Sequence, residues 1–233
     1  METIILAGGK GTRLKPVVSD RPKPLADVNG RPFLEYLMDC LIIQNVSHFI
    51  LSTGYKSEKI KEHFGNSYRS IKISYSEETE PLGTGGAVRE AINFLQNENP
   101  FLVVNGDTFF NINIKILINY FKKSNADLSI ALFQANEGGR YGLVELDDQN
   151  RMKYQKFSQA GIGQLASGGV FLMSNKILDY LSYDGRKFSM EHVFIPTIIN
   201  NGGVVTGLCF NDVFFDIGTP ADYKKFCSQV LQK

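Results

Sequence analysis

Only three cysteines and three histidines occur in the 233 residues, and neither set has the spacing of a metal site. Cys40, Cys209 and Cys227 are odd in number, far apart and set among apolar neighbours. That pattern predicts buried thiols in a reducing compartment and excludes a disulfide framework. His48, His63 and His192 are expected to be exposed or to cap helices. Net charge is lacking too: 25 Lys and Arg face 24 Asp and Glu, so no global basic field draws the chain onto nucleic acid or an anionic membrane. Any anion must be gripped locally. No apolar run approaches the roughly 20 residues that cross a bilayer. The opening stretch from Met1 has no basic segment and too short an apolar run for a secretory signal. A cytoplasmic protein without nucleic-acid or membrane partners is expected. No repeat, low-complexity tract or Pro/Ser linker divides the chain, so 1–233 reads as one domain with two lobes meeting near residue 125.

What is present is alternation. Short β-rich apolar runs at 3–7, 49–52, 71–75 and 101–105 are separated by amphipathic stretches predicted as helices at 33–44, 57–64 and 84–95. This βαβαβ rhythm predicts an α/β fold with a mainly parallel central sheet flanked by helices. The run Phe101-Leu102-Val103-Val104 lacks polar alternation, as a strand covered on both faces requires. Ligands in such sheets sit at the carboxyl ends of the strands. After a helix at 114–123 the rhythm changes, and strands are predicted at 128–134, 141–146, 152–157 and 169–173. Helices return at 189–199 and 220–231, the second opened by a Thr219 cap and Pro220 in the first turn. On that terminal helix Phe226 and Val230 suit either the core or a subunit contact in a homo-oligomer.

Directly after the first strand comes Leu6-Ala7-Gly8-Gly9-Lys10-Gly11-Thr12-Arg13-Leu14, followed by Arg21 and Lys23. Gly8, Gly9 and Gly11 allow close backbone approach and aim N–H groups at phosphate oxygens, while Arg13 supplies a fork of donors and Lys23 a point charge. The spacing fits neither the P-loop nor the dinucleotide fingerprint: Leu14 stands where the latter needs its last glycine, and Val88 breaks the second glycine-rich segment in the same way. An ordinary P-loop ATPase and a nicotinamide oxidoreductase are thereby disfavoured.

The loop resembles the signature of the sugar-1-phosphate nucleotidylyltransferases, and the resemblance continues through Arg21-Pro22-Lys23-Pro24-Leu25, Pro81-Leu82-Gly83-Thr84, Asn105-Gly106-Asp107 and Phe215-Asp216-Ile217-Gly218-Thr219-Pro220. It implies a Rossmann-like nucleotide-diphospho-sugar transferase fold forming one catalytic domain, with a nucleotide-binding half over about 1–125 and a sugar-phosphate-binding half over about 126–233. It also implies Mg²⁺ as cofactor. The nucleotide contacts it implies are Leu6, Ala7, Gly8, Gly9, Gly11, Thr12, Glu78, Pro81, Gly83, Thr84, Asn105 and Gly106. Arg13, Lys23 and Asp107 would be catalytic.

Asp107 follows the buried strand and Asp216 ends the run Val213-Phe214-Phe215, so both are expected at the crevice. Two carboxylates beside a triphosphate loop are hard oxygen ligands of the kind Mg²⁺ takes, with phosphate oxygens and water completing its shell. For the base, Glu78 stands where thymidylyl- and uridylyltransferases usually carry glutamine. A carboxylate only accepts, which suits the N1–H and exocyclic amine of guanine and points to GTP, with Glu77 or Glu80 as alternative readers. For the acceptor, a sugar 1-phosphate, the resemblance implies Tyr141, Gly142, Gly168, Gly169 and Lys156. Gln155 replaces the family's glutamate, and Lys153 is an alternative to Lys156 in a shifted register. Among these enzymes the chain is most similar to the D-glycero-α-D-manno-heptose 1-phosphate guanylyltransferases. Mannose-1-phosphate guanylyltransferases come next, then enzymes using UTP, CTP or dTTP, and a non-catalytic nucleotide-sugar-binding regulator is the alternative from another class.

Overall fold

The computed structural model describes residues 1–9, 11–14, 21–97, 100–153, 158–180 and 187–230. In chain order the elements are β1 (Glu2–Leu6), the small pair β2 (Asp27–Val28) and β3 (Arg31–Pro32), α1 (Phe33–Ile43), β4 (His48–Thr53), α2 (Ser57–Phe64), β5 (Ser67–Tyr68), β6 (Ile71–Glu77), α3 (Gly83–Ala91) and β7 (Phe101–Asn105). They continue with β8 (Thr108–Phe110), α4 (Ile114–Lys123), β9 (Leu128–Gln134), β10 (Leu165–Met173), α5 (Ile195–Asn200), β11 (Val205–Cys209), β12 (Phe214–Asp216) and α6 (Pro220–Val230). Eight strands form one sheet in the order β11-β9-β10-β7-β1-β4-β6-β5. β7, β1, β4 and β6 are parallel neighbours, β9 and β11 pair in parallel, and β10 runs antiparallel to both β7 and β9. This is the mixed, mainly parallel sheet of a Rossmann-like nucleotidyl transferase fold.

Alternate residues of the central strands feed two apolar layers. Ile5, Leu102 and Val104 face α1, α2 and α4 through Leu37, Met38, Ile60, Phe64, Leu117 and Phe121, whereas Ile4, Val103 and Ile50 face Val88, Ala91, Phe194 and Ile198 on the opposite side. Each fully buried Ile, Leu or Phe contributes about 1.5–3 kcal/mol, so a two-faced sheet is the stable use of these uninterrupted apolar runs. The helices follow local rules. Asn113 accepts the Lys115 N–H at 3.1 Å to cap α4, whose buried Ile114, Leu117 and Phe121 share one face. α2 ends at Gly65, where φ is 59°.

Several expectations are corrected. Residues 141–146 form no strand: Gly142 bridges Gln159, Leu143 bridges Ala166 and Leu146 bridges Met152, so the segment passes from partner to partner without building a ladder. Arg151 and Met152 make only isolated bridges, and 154–157 lie outside the described residues. β10 begins at Leu165, and a register shift between Ser167 and Val170 places Gly168 and Gly169 in a bulge inside it. The predicted helix 189–199 is a π turn, Met190–Phe194, followed by α5. Pro196 explains the break, because it offers no N–H to the His192 carbonyl and crowds it. β11 is hidden in the sequence because Gly207 interrupts its apolar pattern; in the structure Gly207 packs against the side-chain ends of Leu132 and Leu146.

The histidine and cysteine expectations also change. His48 is buried, its Nδ1 2.8 Å from Glu2 Oε1 and its Nε2 2.9 Å from Ser74 Oγ. Glu2 accepts in addition from the backbone N–H groups of Gln96 and Asn97. Burial pushes the Glu2 carboxyl up, but these hydrogen bonds outweigh it and hold it below its ordinary value. Cys209 is exposed and Cys40 and Cys227 are half-buried, so the thiols are not the core residues their neighbours suggested. Phe226, in contrast, is core: it meets the rings of Phe33, Phe109 and Phe215 at centroid distances of 5.1, 5.2 and 5.4 Å.

Candidate active site

The carboxyl ends of β1, β4, β6 and β7 open onto a cleft of about 860 Å³ lined by Leu6, Ala7, Gly8, Gly9, Gly11, Arg13, Lys23, Glu78, Pro81, Gly83, Thr84, Asn105 and Asp107. Nearly all of the predicted nucleotide contacts are therefore brought together. Gly106 is the exception. It donates its N–H to the Leu6 carbonyl at 2.9 Å, and a Cβ on it would fall 2.7 Å from that oxygen, so it fastens β7 to β1 beneath the cleft. The Thr12 side chain lies outside the described set.

The loop after β1 gains its shape from specific contacts. Ala7 N–H donates to the Ser52 carbonyl at 2.7 Å, and Gly11 takes a φ of 55° with Lys23 Cβ 2.9 Å from where its own Cβ would be. Only glycine suits that position. Gly8 faces the Glu78 carboxylate, whose Oε1 is 2.6 Å from an ideal Cβ on Gly8. Glu78 itself is oriented by two donors: Ser52 Oγ reaches Oε1 at 3.3 Å and Leu82 N–H reaches Oε2 at 2.9 Å. Each carboxylate oxygen keeps a second acceptor site. Glu80 lines the cleft as well, whereas Glu77 is directed to Lys61.

The opposite wall is the start of α3. Gly83 has a φ of 72° and a Cβ there would meet the Phe188 carbonyl oxygen at 2.5 Å. Thr84 Oγ1 accepts the Met190 N–H at 2.8 Å and donates to Glu191 Oε2 at 3.3 Å, which straps the segment around Phe188 onto the helix. Lys187, on that strap, also lines the cleft, as do Gly54 and Tyr55 after β4. These three were not singled out from sequence as contacts. Their approach to α3 and the loop after β1 is long-range, and no local sequence pattern encodes it.

Between the two halves stand the paired aspartates. β8 and β12 pair antiparallel, with Asp216 opposite Thr108, and Ile217 N–H donates to the Asp107 carbonyl at 3.1 Å. This small sheet was not visible in the sequence, yet it is what brings Asp107 beside Asp216. The buried Lys23 ammonium lies 2.8 Å from Asp107 Oδ2 and 3.6 Å from Asp216 Oδ1. Gly218 N–H adds a 2.7 Å hydrogen bond to Asp216 Oδ1. Two carboxylate oxygens thus already converge on one cation. Among the described residues no group of three or more His, Cys, Asp or Glu side chains is placed to hold a metal, so a divalent ion here would take its remaining ligands from substrate and water.

A second cleft of about 700 Å³ lies beyond the aspartates, lined by Tyr141, Gly142, Lys153, Ser167, Glu191 and His192 with an apolar floor of Ile130, Val144 and Phe171. Arg13, Asn105 and Asp107 line both clefts and form their common wall. Tyr141 and Gly142 occupy the predicted acceptor side, and among the described residues Lys153 lines it too. Gln155 and Lys156 lie outside the described residues. Gly168 is corrected: it abuts the Phe110 ring, with which any Cβ would collide, while Gly169, with φ 70°, packs on Asn105 Nδ2, and Ser167 forms the wall instead. Burial pushes the Tyr141 phenol up to about 12, so it stays a neutral donor.

Arg140 was overlooked as a contact. Its Nη2 lies 3.2 Å from Asp216 Oδ2 and 2.5 Å from Asp222 Oδ2, and Thr219 Oγ1 holds the same Asp222 oxygen. Burial works against the guanidinium charge, but the hydrogen bond to Asp222 and the nearby carboxylates outweigh it and raise its pKa. No helix among the described residues is long and apolar enough to cross a membrane.

The arrangement matches known proteins along its length. The profile of the family described as "Nucleotidyl transferase" matches residues 2–233. The chain is 41% identical over 230 residues to the D-glycero-alpha-D-manno-heptose 1-phosphate guanylyltransferase of Campylobacter jejuni, covering 97% of this chain and 98% of that one. It is 39% identical to the enzyme of the same name from Aneurinibacillus thermoaerophilus, covering 97% and 96%. The crystal structure of HddC from Yersinia pseudotuberculosis complexed with GMP-PN superposes with a TM-score of 0.84 at 35% identity over 98% of this chain and 99% of that one. With its glycine loop, strand-end carboxylates and sheet order all in place, the chain belongs to the nucleotidyl transferase family, within which it is closely related to the heptose 1-phosphate guanylyltransferases.

Proposed function

We propose that the protein transfers GMP from GTP to a sugar 1-phosphate, D-glycero-α-D-manno-heptose 1-phosphate, giving GDP-heptose and pyrophosphate. The observation that carries this reading is the pair of clefts sharing Arg13, Asn105 and Asp107 as their wall, with a carboxylate base reader at the far end of the first. The relatives named above supply the sugar. Glu78, held from one side by Ser52 and Leu82, presents its free acceptor sites to guanine N1–H and the exocyclic amine. Gly8, Gly9 and Gly11 line the cleft and allow the backbone to approach the phosphates closely, whereas the Ala7 N–H is taken by Ser52 and the Gly85 and Gly86 N–H groups by the Phe188 carbonyl.

Chemically the step is a displacement at the α-phosphorus. An oxygen of the sugar phosphate forms the new P–O bond, the α–β bridging bond breaks, and pyrophosphate carries away the electron pair. The attacking phosphate is already anionic, so no general base is needed. Arg13 at the shared wall and the buried Lys23 neutralise charge that accumulates on the phosphate oxygens. Asp107 and Asp216 would hold Mg²⁺, a role supported by the two oxygens already gathered around the Lys23 ammonium. When bound, that ion supplies Lewis-acid neutralisation of the phosphates. Tyr141, Gly142 and Lys153 line the acceptor side, and Lys156 and Gln155 join the proposal from sequence.

The test is pyrophosphate release with GTP and Mg²⁺ over heptose, mannose and glucose 1-phosphates. Turnover fastest with the heptose is expected. A higher kcat/KM with mannose 1-phosphate reassigns the sugar, and no release with any of them overturns the reading.

A further inference from the structure

The transfer described above uses Asp216 as a ligand but leaves unexplained what keeps that carboxylate in place. Asp216 lies just beyond the apolar pair Phe214-Phe215 at the end of a three-residue strand, a short element to hold a charged group steady. Its Oδ1 takes the Gly218 N–H at 2.7 Å and faces Lys23, and its Oδ2 takes Arg140 at 3.2 Å. The two donors act on opposite oxygens. The carboxylate plane is therefore fixed, with one acceptor site of Oδ1 left on the Asp107 side.

Arg140 is itself anchored. Its Nη2 binds Asp222 Oδ2 and also reaches the Asp216 carbonyl at 3.4 Å, while Asp222 is held by Thr219. The guanidinium stacks on the Tyr141 ring, 5.1 Å from its centroid. Its Nε is buried with no hydrogen-bond partner among the described residues, which a side chain placed only for stability would tend to avoid. The next two residues, Tyr141 and Gly142, line the acceptor cleft.

We propose that Arg140 is a positioning residue that fixes the orientation of Asp216 and ties this metal carboxylate to the turn receiving the sugar phosphate. The proposal rests on the nucleotidylyl-transfer reading. A positive charge beside a metal ligand on its own weakens cation binding, so charge and orientation act in opposite directions and can be separated. Arg140→Lys keeps the charge and loses the fork; Arg140→Met loses both.

Four quantities are measured on wild type and both variants: melting temperature, affinity of a non-hydrolysable GTP analogue without metal, Mn²⁺ binding to the analogue complex by EPR, and kcat and KM for the sugar 1-phosphate. Orientation predicts weaker Mn²⁺ binding in both variants by about tenfold, as for lost partners of metal ligands. It also predicts a kcat lower by about 10- to 100-fold, with metal-free analogue affinity within about twofold of wild type. Wild-type behaviour in Arg140→Lys together with tighter Mn²⁺ binding in Arg140→Met overturns it in favour of a pure charge effect. Loss of metal-free analogue binding together with a lower melting temperature overturns it in favour of a structural role. Should either variant fail to fold, Thr219→Val releases Asp222, and through it Arg140, with no change of charge, and must weaken Mn²⁺ binding in the same direction, or the proposal fails. A wild type inactive with every sugar 1-phosphate defeats the transfer reading instead, and the Mn²⁺ measurement still decides the role of Arg140.

Discussion

Replacing Glu78 by glutamine tests the base pocket with an outcome that the surrounding donors dictate. Leu82 N–H at 2.9 Å from Oε2 can be satisfied only by an acceptor, so in the variant the amide oxygen must take that place. The NH₂ then falls at the Oε1 position beside Ser52, which can accept from it. The fold keeps both contacts, and no loss of stability is expected. Toward the base, however, the side chain now offers one donor and one acceptor in place of two acceptors. Guanine keeps one hydrogen bond, now to a neutral acceptor, and loses a charge-assisted one, worth about 1.5–3 kcal/mol, because that donor faces an NH₂ group. At about 1.4 kcal/mol per factor of ten, kcat/KM for GTP should fall roughly 10- to 100-fold. UTP, whose edge carries a carbonyl beside N3–H, should gain. Initial rates of pyrophosphate release with GTP, ATP, CTP, UTP and dTTP measure the change. If the GTP to UTP ratio of the variant stays within about threefold of wild type, Glu78 does not read the base and the argument from its orientation is wrong.

Other outcomes follow from the same geometry. Asp107→Ala or Asp216→Ala should remove most turnover while leaving the circular dichroism spectrum unchanged; near-normal Mg²⁺-dependent rates in both would exclude them as ligands. Gly83→Ala forces a Cβ into the Phe188 carbonyl at a φ of 72° and should cost about 1–3 kcal/mol, read by urea unfolding. The lowered pKa of Glu2 means that its stabilising contribution is fully present above its ordinary value of 4.5 and is lost as pH falls through the depressed folded value. Glu2→Gln should therefore flatten the acid limb of the stability curve, and an unchanged acid limb would show that this carboxylate is not linked to folding.

Much of the stretch up to about residue 125 was legible because its signals are local. The uninterrupted apolar run of β7, the glycine loop after β1 and the capped helix α4 each state their conformation within about ten residues. Arg13, Lys23, Glu78 and Asp107 fall on that framework, and the structure places them in one cleft. The second half was harder to read for a physical reason. Its acceptor wall is built from isolated bridges at Gly142, Leu143 and Leu146, and a segment that changes partner every few residues has no period to detect. Pairing of β8 with β12 joins residues about a hundred positions apart, which no local pattern encodes. Sequence points Gly168 and Gly169 at the cleft whereas the structure puts them in a bulge, because glycine announces an unusual backbone without saying which neighbour requires it.

Arg13, Asn105 and Asp107 belong to both clefts, and this bears on how the reaction ends. A nucleotide or a sugar phosphate alone touches that wall from one side, but the joined product touches it from both and keeps the other contacts of each. Once one half has let go, the other still holds it at high local concentration, so departure requires both grips to fail together. GDP-sugar should accordingly compete with either substrate and leave more slowly than pyrophosphate, as product-inhibition kinetics would read.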